Sequence, residues 1–362
     1  MSPPAVGTSW IVGLDDPAAA DAALVGGKGA GLRRLVALDA RVPTGFVVST
    51  VAFAAAMEGA EDLETSLRDV GPDTPLDALE QAAGRAREAL LAASRSGPVL
   101  EAVREAYTTL VGTDTRVAVR SSAVGEDAAG ASFAGEHDTY LEIRGADAVA
   151  DAVARCWASL YTARAISYRQ RAGGDAGAMA VVVQEMVTAR AAGVFMTLNP
   201  ANGDRSTVVC EAVWGLGEPL VSGEVTPDRF VLDKISGEIL RREIAVKPTR
   251  MTRTDERPGT VVADVPPEDR DRPCLDDAEL AELLAVARRV ERDAGTPQDG
   301  EFAVADPGGP SHIHLLQTRP ETVWSARAPR SATGGTGAGS ALSAVLATLT
   351  RTTRQEGSDH GG

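Results

Sequence analysis

The spacing of apolar residues divides the chain into short strands and amphipathic helices. Residues 10–14 and 41–50 (RVPTGFVVST) read as strands, with Pro43 fixing the turn into the second. Between them, residues 24–41 open on a glycine-rich turn carrying Lys28 and continue as a helix through Leu32, Leu35, Val36 and Leu38. Residues 51–111 are alanine-rich and helical. Thr74 and Pro75 suit an N-cap and first helical position ahead of Leu79, Ala83, Ala86 and Leu90, and Pro98 opens a helix through Val99, Val103 and Tyr107. A strand, VAVR, is predicted at 117–120, followed by a loop of small residues. The stripe Val149, Val153, Trp157, Leu160 predicts one long helix over 146–171.

The second half reads mainly as sheet. MAVVVQEMV (179–187) has the continuous apolar character of a buried strand, and 193–200, 207–214 and 229–233 read as further strands. Residues 250–272, rich in charge, Pro and Thr, read as a variable excursion, and 275–295 as a helix with Leu280, Leu283, Leu284, Ala287 and Val290 inward. Finally, 301–305 and 312–319 flank the turn DPGGPS, which predicts a β-hairpin. The expected class is therefore α+β.

With 362 residues and 44% hydrophobic composition, the chain can bury more than one lobe. Its formal net charge of -15 argues against general binding to nucleic acid or to an anionic membrane, both of which reward positive surface. Cys156, Cys210 and Cys274 are odd in number and lack metal-site spacing, which suggests a reducing compartment. No apolar run approaches a membrane span and residues 1–10 lack a signal-peptide pattern, so a cytoplasmic location is expected.

Four stretches carry candidate chemistry. Arg120 ends its strand ahead of two serines and a glycine-containing loop whose backbone N–H groups can approach an anion. Taken alone, a solvated surface loop fits as well. Lys28 sits beside a helix N-terminus, which favours phosphate oxygens, although the following Gly29 excludes a Walker loop. Gln184 and Glu185 end an apolar strand; a lobe junction that meets a nucleotide base and a plain strand terminus both satisfy that pattern. In the hairpin, pairing Ala305 with Ile313 sets Glu301 opposite Gln317, with Arg319 and Asp299 on the same face. Carboxylates and an amide oxygen converging there are hard ligands for Mg²⁺. Glu211, inside an apolar strand, requires a cationic or hydrogen-bonding partner.

Together GGKGAGL, VAVRSSAVGED with ASFAGEHDTYL, QEMV, GVFMTLNP, EAVWGLGEPLVSGEVTPDRFVLD and LLQTRP resemble the N-terminal ATP-binding domain of phosphoenolpyruvate synthase, pyruvate phosphate dikinase and rifampicin phosphotransferase. The resemblance runs in order over about residues 10–324. It implies an ATP-grasp fold in which two lobes hold Mg-ATP between them, a nucleotide-binding domain over 1–324 and a lobe junction near 184–192. By the same resemblance, Lys28 and Arg120 contact the ATP phosphates, and Gly135 and Thr139 belong to the loop covering them. Gln184, Glu185, Met186 and Val187 hold adenine. Glu301 and Gln317 are Mg²⁺ ligands, and Arg319 is a further phosphate-binding arginine; apart from the resemblance, Asp299 shares a face with Glu301 and is available as a second acidic ligand. Two positions depart from the family pattern: Gly300 replaces an apolar residue, which is expected to loosen the metal strand, and Glu136 replaces a glutamine.

Family enzymes pass phosphate to a histidine on a swivelling domain. None of His137, His312, His314 and His360 stands in such a context, and His312 and His314 are expected on the hairpin face opposite Gln317. No carrier domain is expected here. The leading expectation is an ATP-binding phosphotransferase subunit that transfers the β-phosphoryl group of Mg-ATP to a histidine on a separate carrier protein, forming AMP and inorganic phosphate. Split enzymes such as those resembling phenylphosphate synthase offer the precedent. A non-catalytic, nucleotide-dependent binding or regulatory module is the alternative. A third reading, a free-standing ligase, lacks an acceptor-pocket signature. Residues 325–362, rich in Ser, Thr, Gly and Ala, are expected to be a disordered tail with a short amphipathic stretch at 341–349.

Overall fold

The computed structural model describes residues 9–58, 60–94, 97–124, 139–172, 178–254, 259–322 and 324. The chain divides into two compact units. One holds the described residues up to Met186, with Arg253, Thr254, Gly259 and Thr260; the other holds Val187–Thr252 and the described residues from Val261 onward.

The first unit contains a five-stranded sheet in the order β1-β2-β5-β3-β4. Its strands are β1 (Ile11–Gly13), β2 (Gly45–Val48), β3 (Val117–Ala123), β4 (Thr139–Ile143) and β5 (Met179–Glu185). The helices are α1 (Ala22–Ala37), α2 (Thr50–Met57), α3 (Glu61–Leu67), α4 (Leu76–Ser94), α5 (Pro98–Ala106), α6 (Ala146–Ala158) and α7 (Ala163–Ala172). Phe46, Val48, Val117, Val119, Val181 and Val183 supply one sheet face to a core with Phe53, Leu90, Val103, Tyr107 and Trp157. The rings of Phe53 and Trp157 meet edge to face at 5.9 Å.

One predicted helix is two. The stretch 146–171 breaks after Ala158, because hydroxyls there bond the backbone locally. Ser159 Oγ donates to the carbonyl of Cys156 (2.7 Å), and Thr162 Oγ1 accepts from the N–H of Ala165 (3.2 Å), starting α7 afresh.

The second unit is built on a six-stranded antiparallel sheet, β13-β12-β6-β7-β8-β9. These are β6 (Ala189–Met196), β7 (Thr207–Trp214), β8 (Asp228–Asp233), β9 (Ile239–Glu243), β12 (Gln298–Ala305) and β13 (Ile313–Pro320). A ribbon of β10 (Thr249–Arg253) and β11 (Thr260–Asp264) occupies the predicted excursion, and α8 (Glu218–Val221) is a single turn. Helix α9 (Asp277–Ala294) has a capping box between Asp276 and Glu279 and ends at Gly295 in the left-handed region, as its sequence dictates. Arg242, paired with Phe230, reaches Asp277 at 2.6 Å, so α9 covers the sheet face that carries Phe230, Phe195 and Phe302.

On that face two aromatic rings cover two glycines. Phe302 is paired with Gly193 and Phe195 with Gly300. A Cβ on Gly300 would lie 2.2 Å from the Phe195 ring. The expected loosening at Gly300 is therefore absent: the fully buried Phe195 fills the space an apolar side chain would take. Gly300→Leu is expected to cost about 1–3 kcal/mol by overpacking, read from urea unfolding.

Candidate functional site

In the first unit, β3 and α1 are locked together. Val117 and Val119 point to the core, so Ala118, Arg120 and Ser122 lie on the opposite face, towards α1. Helix α1 is broken at Gly26 (φ 71°), and Lys28 stands in the first turn after the break. Ser122 Oγ donates to the carbonyl of Val25 (2.8 Å) and accepts from the N–H of Gly29 (3.2 Å), acting as a helix cap supplied by another element. A Cβ on Gly26 would fall 2.0 Å from the Ser122 carbonyl oxygen, so only glycine allows this approach. The lysine turn is thus fixed two residues along from Arg120. Ser122 was not singled out in the sequence; the small hydroxyl pair after Arg120 was its signal.

Arg120 pairs with Val182 on one side and Thr139 on the other. Thr139, expected in the covering loop, instead begins β4. Gly135, Glu136 and His137 lie outside the described residues. Gln184, opposite Ala118 and Gly45, shares the Arg120 face, is 2% exposed, and its Nε2 has no hydrogen-bond partner among the described residues. The N–H of Glu185 donates to Thr44 and that of Met186 to Arg116.

In the second unit, Glu301 faces Gln317 and Asp299 faces Arg319 across β12 and β13. Nε of Arg319 lies 3.8 Å from Oδ2 of Asp299. The assumed route to this register was wrong by one residue: Ile313 pairs with Val304, not Ala305, and a β-bulge beside Glu301 absorbs the difference. The bulge also reverses the reading of His314. Paired with Ala303, it shares the face of Glu301 and Gln317 rather than the opposite one.

Burial pushes the Asp299 carboxyl up to about 6; Arg319 opposes the rise and Glu321 adds to it. Glu211 has the partner its strand position demanded. Its Oε1 lies 3.6 Å from Nε of Arg229, its cross-strand neighbour, and burial still raises its pKa. Among the described residues no three His, Cys, Asp or Glu side chains converge on one point. Two carboxylates and an amide oxygen nevertheless fit Mg²⁺, which keeps several waters and takes phosphate oxygens as further ligands.

The family model for the pyruvate phosphate dikinase AMP/ATP-binding domain matches residues 22–336. The chain belongs to that family. The pyruvate phosphate dikinase ATP-binding domain has a fold of ATP-grasp type, and ATP is the ligand class it carries. Similar proteins include a probable phosphoenolpyruvate synthase of Methanothermobacter thermautotrophicus, 39% identical over 83% of this chain and 44% of the relative. A rifampicin phosphotransferase of a Streptomyces species is 42% identical over 86% of this chain and 36% of its own length. The phosphoenolpyruvate synthase of Aeropyrum pernix is 37% identical over 84% and 41%. The chain therefore spans less than half the length of these relatives, and the family-level chemistry is ATP-dependent phosphotransfer. No helix among the described residues is long and apolar enough to cross a membrane.

Proposed function

We propose that this chain binds Mg-ATP and transfers the β-phosphoryl group to a histidine on a separate carrier protein. The observation that carries the reading is the direct pairing of Glu301 with Gln317, beside Asp299 and Arg319, on one sheet face. Lys28 and Arg120, tied together through Ser122, contact the phosphates, with Gly135 and Thr139 close to them. Gln184, Glu185, Met186 and Val187 hold the adenine; because the backbone N–H groups of Glu185 and Met186 are engaged within the protein, an N–H donor to the base comes from Val187 or the Gln184 amide.

Glu301, Gln317 and Asp299 would hold the divalent cation, which when bound neutralises charge on the phosphate oxygens. Arg120, Lys28 and Arg319 orient the chain of phosphates and stabilise the charge that builds as the bond between the bridging oxygen and β-phosphorus breaks. That oxygen leaves with AMP, the histidine nitrogen takes the β-phosphoryl group, and water takes the γ-phosphoryl group as inorganic phosphate. None of the four histidines of this sequence stands in a carrier context, so the accepting histidine is sought outside these residues. The alternative is a non-catalytic nucleotide-dependent module.

Incubation with ATP labelled at the β-phosphorus and a histidine-domain carrier tests the proposal. Acid-labile label on the carrier, with AMP formed, is expected. Turnover to AMP that is equally fast without a carrier would sink it.

Asp299 also predicts a pH dependence. Because its carboxyl titrates near 6 without metal, protons compete with the cation below that pH and not above it. Mg²⁺ affinity should be flat from pH 7 to 8 and fall about tenfold per unit below pH 6, while Asp299→Asn should bind more weakly with no such slope.

A further inference from the structure

The chain enters β3 through Arg116, whose carbonyl accepts from the N–H of Met186 (2.9 Å). That bond extends the β3–β5 ladder one step beyond the Val117–Glu185 pair. Glu185 is held from the other side, its N–H donating to the carbonyl of Thr44 (2.8 Å). Where the backbone runs at the end of β5 therefore depends on where Arg116 sits.

The Arg116 side chain is fixed in turn. Its Nη1 donates to Oε2 of Glu142 (3.0 Å) and to the carbonyl of Thr254 in the same unit (3.2 Å). The Glu142 side chain is 2% exposed, and a carboxylate so buried requires its cation. Its backbone is unusual as well. Among the described residues only Asp39 and Glu142, apart from glycines, take a positive φ, and Asp39 is exposed just past the end of α1. Glu142 (φ 59°) instead lies inside β4, at a bulge: Val119 pairs with Tyr140 and Val117 with Ile143, so β4 carries one residue more than β3 over that interval. Glycine would adopt this φ without strain, whereas glutamate is strained there. What glutamate adds is its carboxylate, and the carboxylate goes to Arg116.

We propose that Glu142 is a positioning residue for nucleotide base binding: through Arg116 it sets the Met186 backbone, and with it the segment 184–187 that holds adenine. This rests on the assignment of Gln184, Glu185, Met186 and Val187 to the base. The stretch of β3 nearest the phosphates is anchored separately, by the bonds of Ser122 to Val25 and Gly29. Loss of the Glu142 carboxylate thus falls on the base and spares the phosphates.

Calorimetric titration of the full chain with Mg-ATP, and with Mg-tripolyphosphate read by displacement of ATP, tests this, with circular dichroism to verify folding. The variants are Glu142→Gly and Glu142→Asn; both residues accept a left-handed backbone and neither reaches Arg116, so the second serves if the first does not fold. Gln184→Leu and Val187→Pro remove the two N–H donors to the base in turn. Each Glu142 variant is expected to weaken Mg-ATP binding about tenfold, the scale of one lost hydrogen bond, and to leave tripolyphosphate within about twofold of wild type. Equal losses for both ligands would mean a distorted site and overturn the positioning role. Wild-type ATP affinity in the Glu142 variants, beside a loss in Gln184→Leu or Val187→Pro, would also overturn it and leave the adenine segment standing. Wild-type ATP affinity in both Gln184→Leu and Val187→Pro would overturn the adenine assignment itself, and the role of Glu142 with it.

Discussion

Lys247→Met is expected to lower the unfolding free energy of the second unit by about 3–5 kcal/mol. Lys247 and Asp228 are both buried, and their charged groups are in contact. Asp228 Oδ1 also accepts from the N–H of Ala245, and Oδ2 from the N–H of Cys274, each at 2.9 Å. One carboxylate thus fixes the chain after β9 and the approach to α9 at the start of β8. Methionine fills a similar volume but leaves the Asp228 carboxylate without its cation, and an uncompensated buried charge costs more than the pair contributes. Urea unfolding of the variant, with unchanged Mg-ATP affinity under native conditions, checks this; a loss below about 1 kcal/mol would mean that the backbone donors alone satisfy Asp228.

The second large effect concerns ligand affinity. Arg120→Ala should weaken Mg-ATP binding about ten- to hundredfold, the equivalent of about 1.5–3 kcal/mol for hydrogen bonds to a charged group. Arg120 is half-buried on β3 between Val182 and Thr139, and the strand is anchored independently by Val117, Val119 and Ser122. Folding should therefore survive the change. Calorimetric titration reads the affinity directly, and unchanged affinity would remove Arg120 from the phosphate contacts.

Much of this arrangement was legible in the sequence wherever period-two alternation decides it. Glu301, Gln317, Asp299 and Arg319 were read onto one face because parity along two strands is enough for that. The turn half of the same hairpin was misread because a bulge changes parity without changing composition. The adjacent Leu315 and Leu316, of which the first is buried in the core, were its only signal. Strands β10 and β11 were missed because neither buries an apolar face.

The α6–α7 break was hidden by a continuous apolar stripe, and only the Ser159 and Thr162 hydroxyls betray it. The partner of Glu211 was not readable at all. Residues 215–227 separate β7 from β8, and no short turn fixes which residue faces the carboxylate. The lock between Ser122 and the lysine turn joins residues 93 apart in sequence, a contact that only the folded sheet creates.

The most direct test of the central claim is a calorimetric titration of ATP into the full chain with and without Mg²⁺, beside Glu301→Ala. The account predicts one equivalent of ATP bound, tighter with Mg²⁺, and loss of that Mg²⁺ dependence in the variant. Binding that is indifferent to Mg²⁺ in both proteins, or no binding by the wild type, would contradict it.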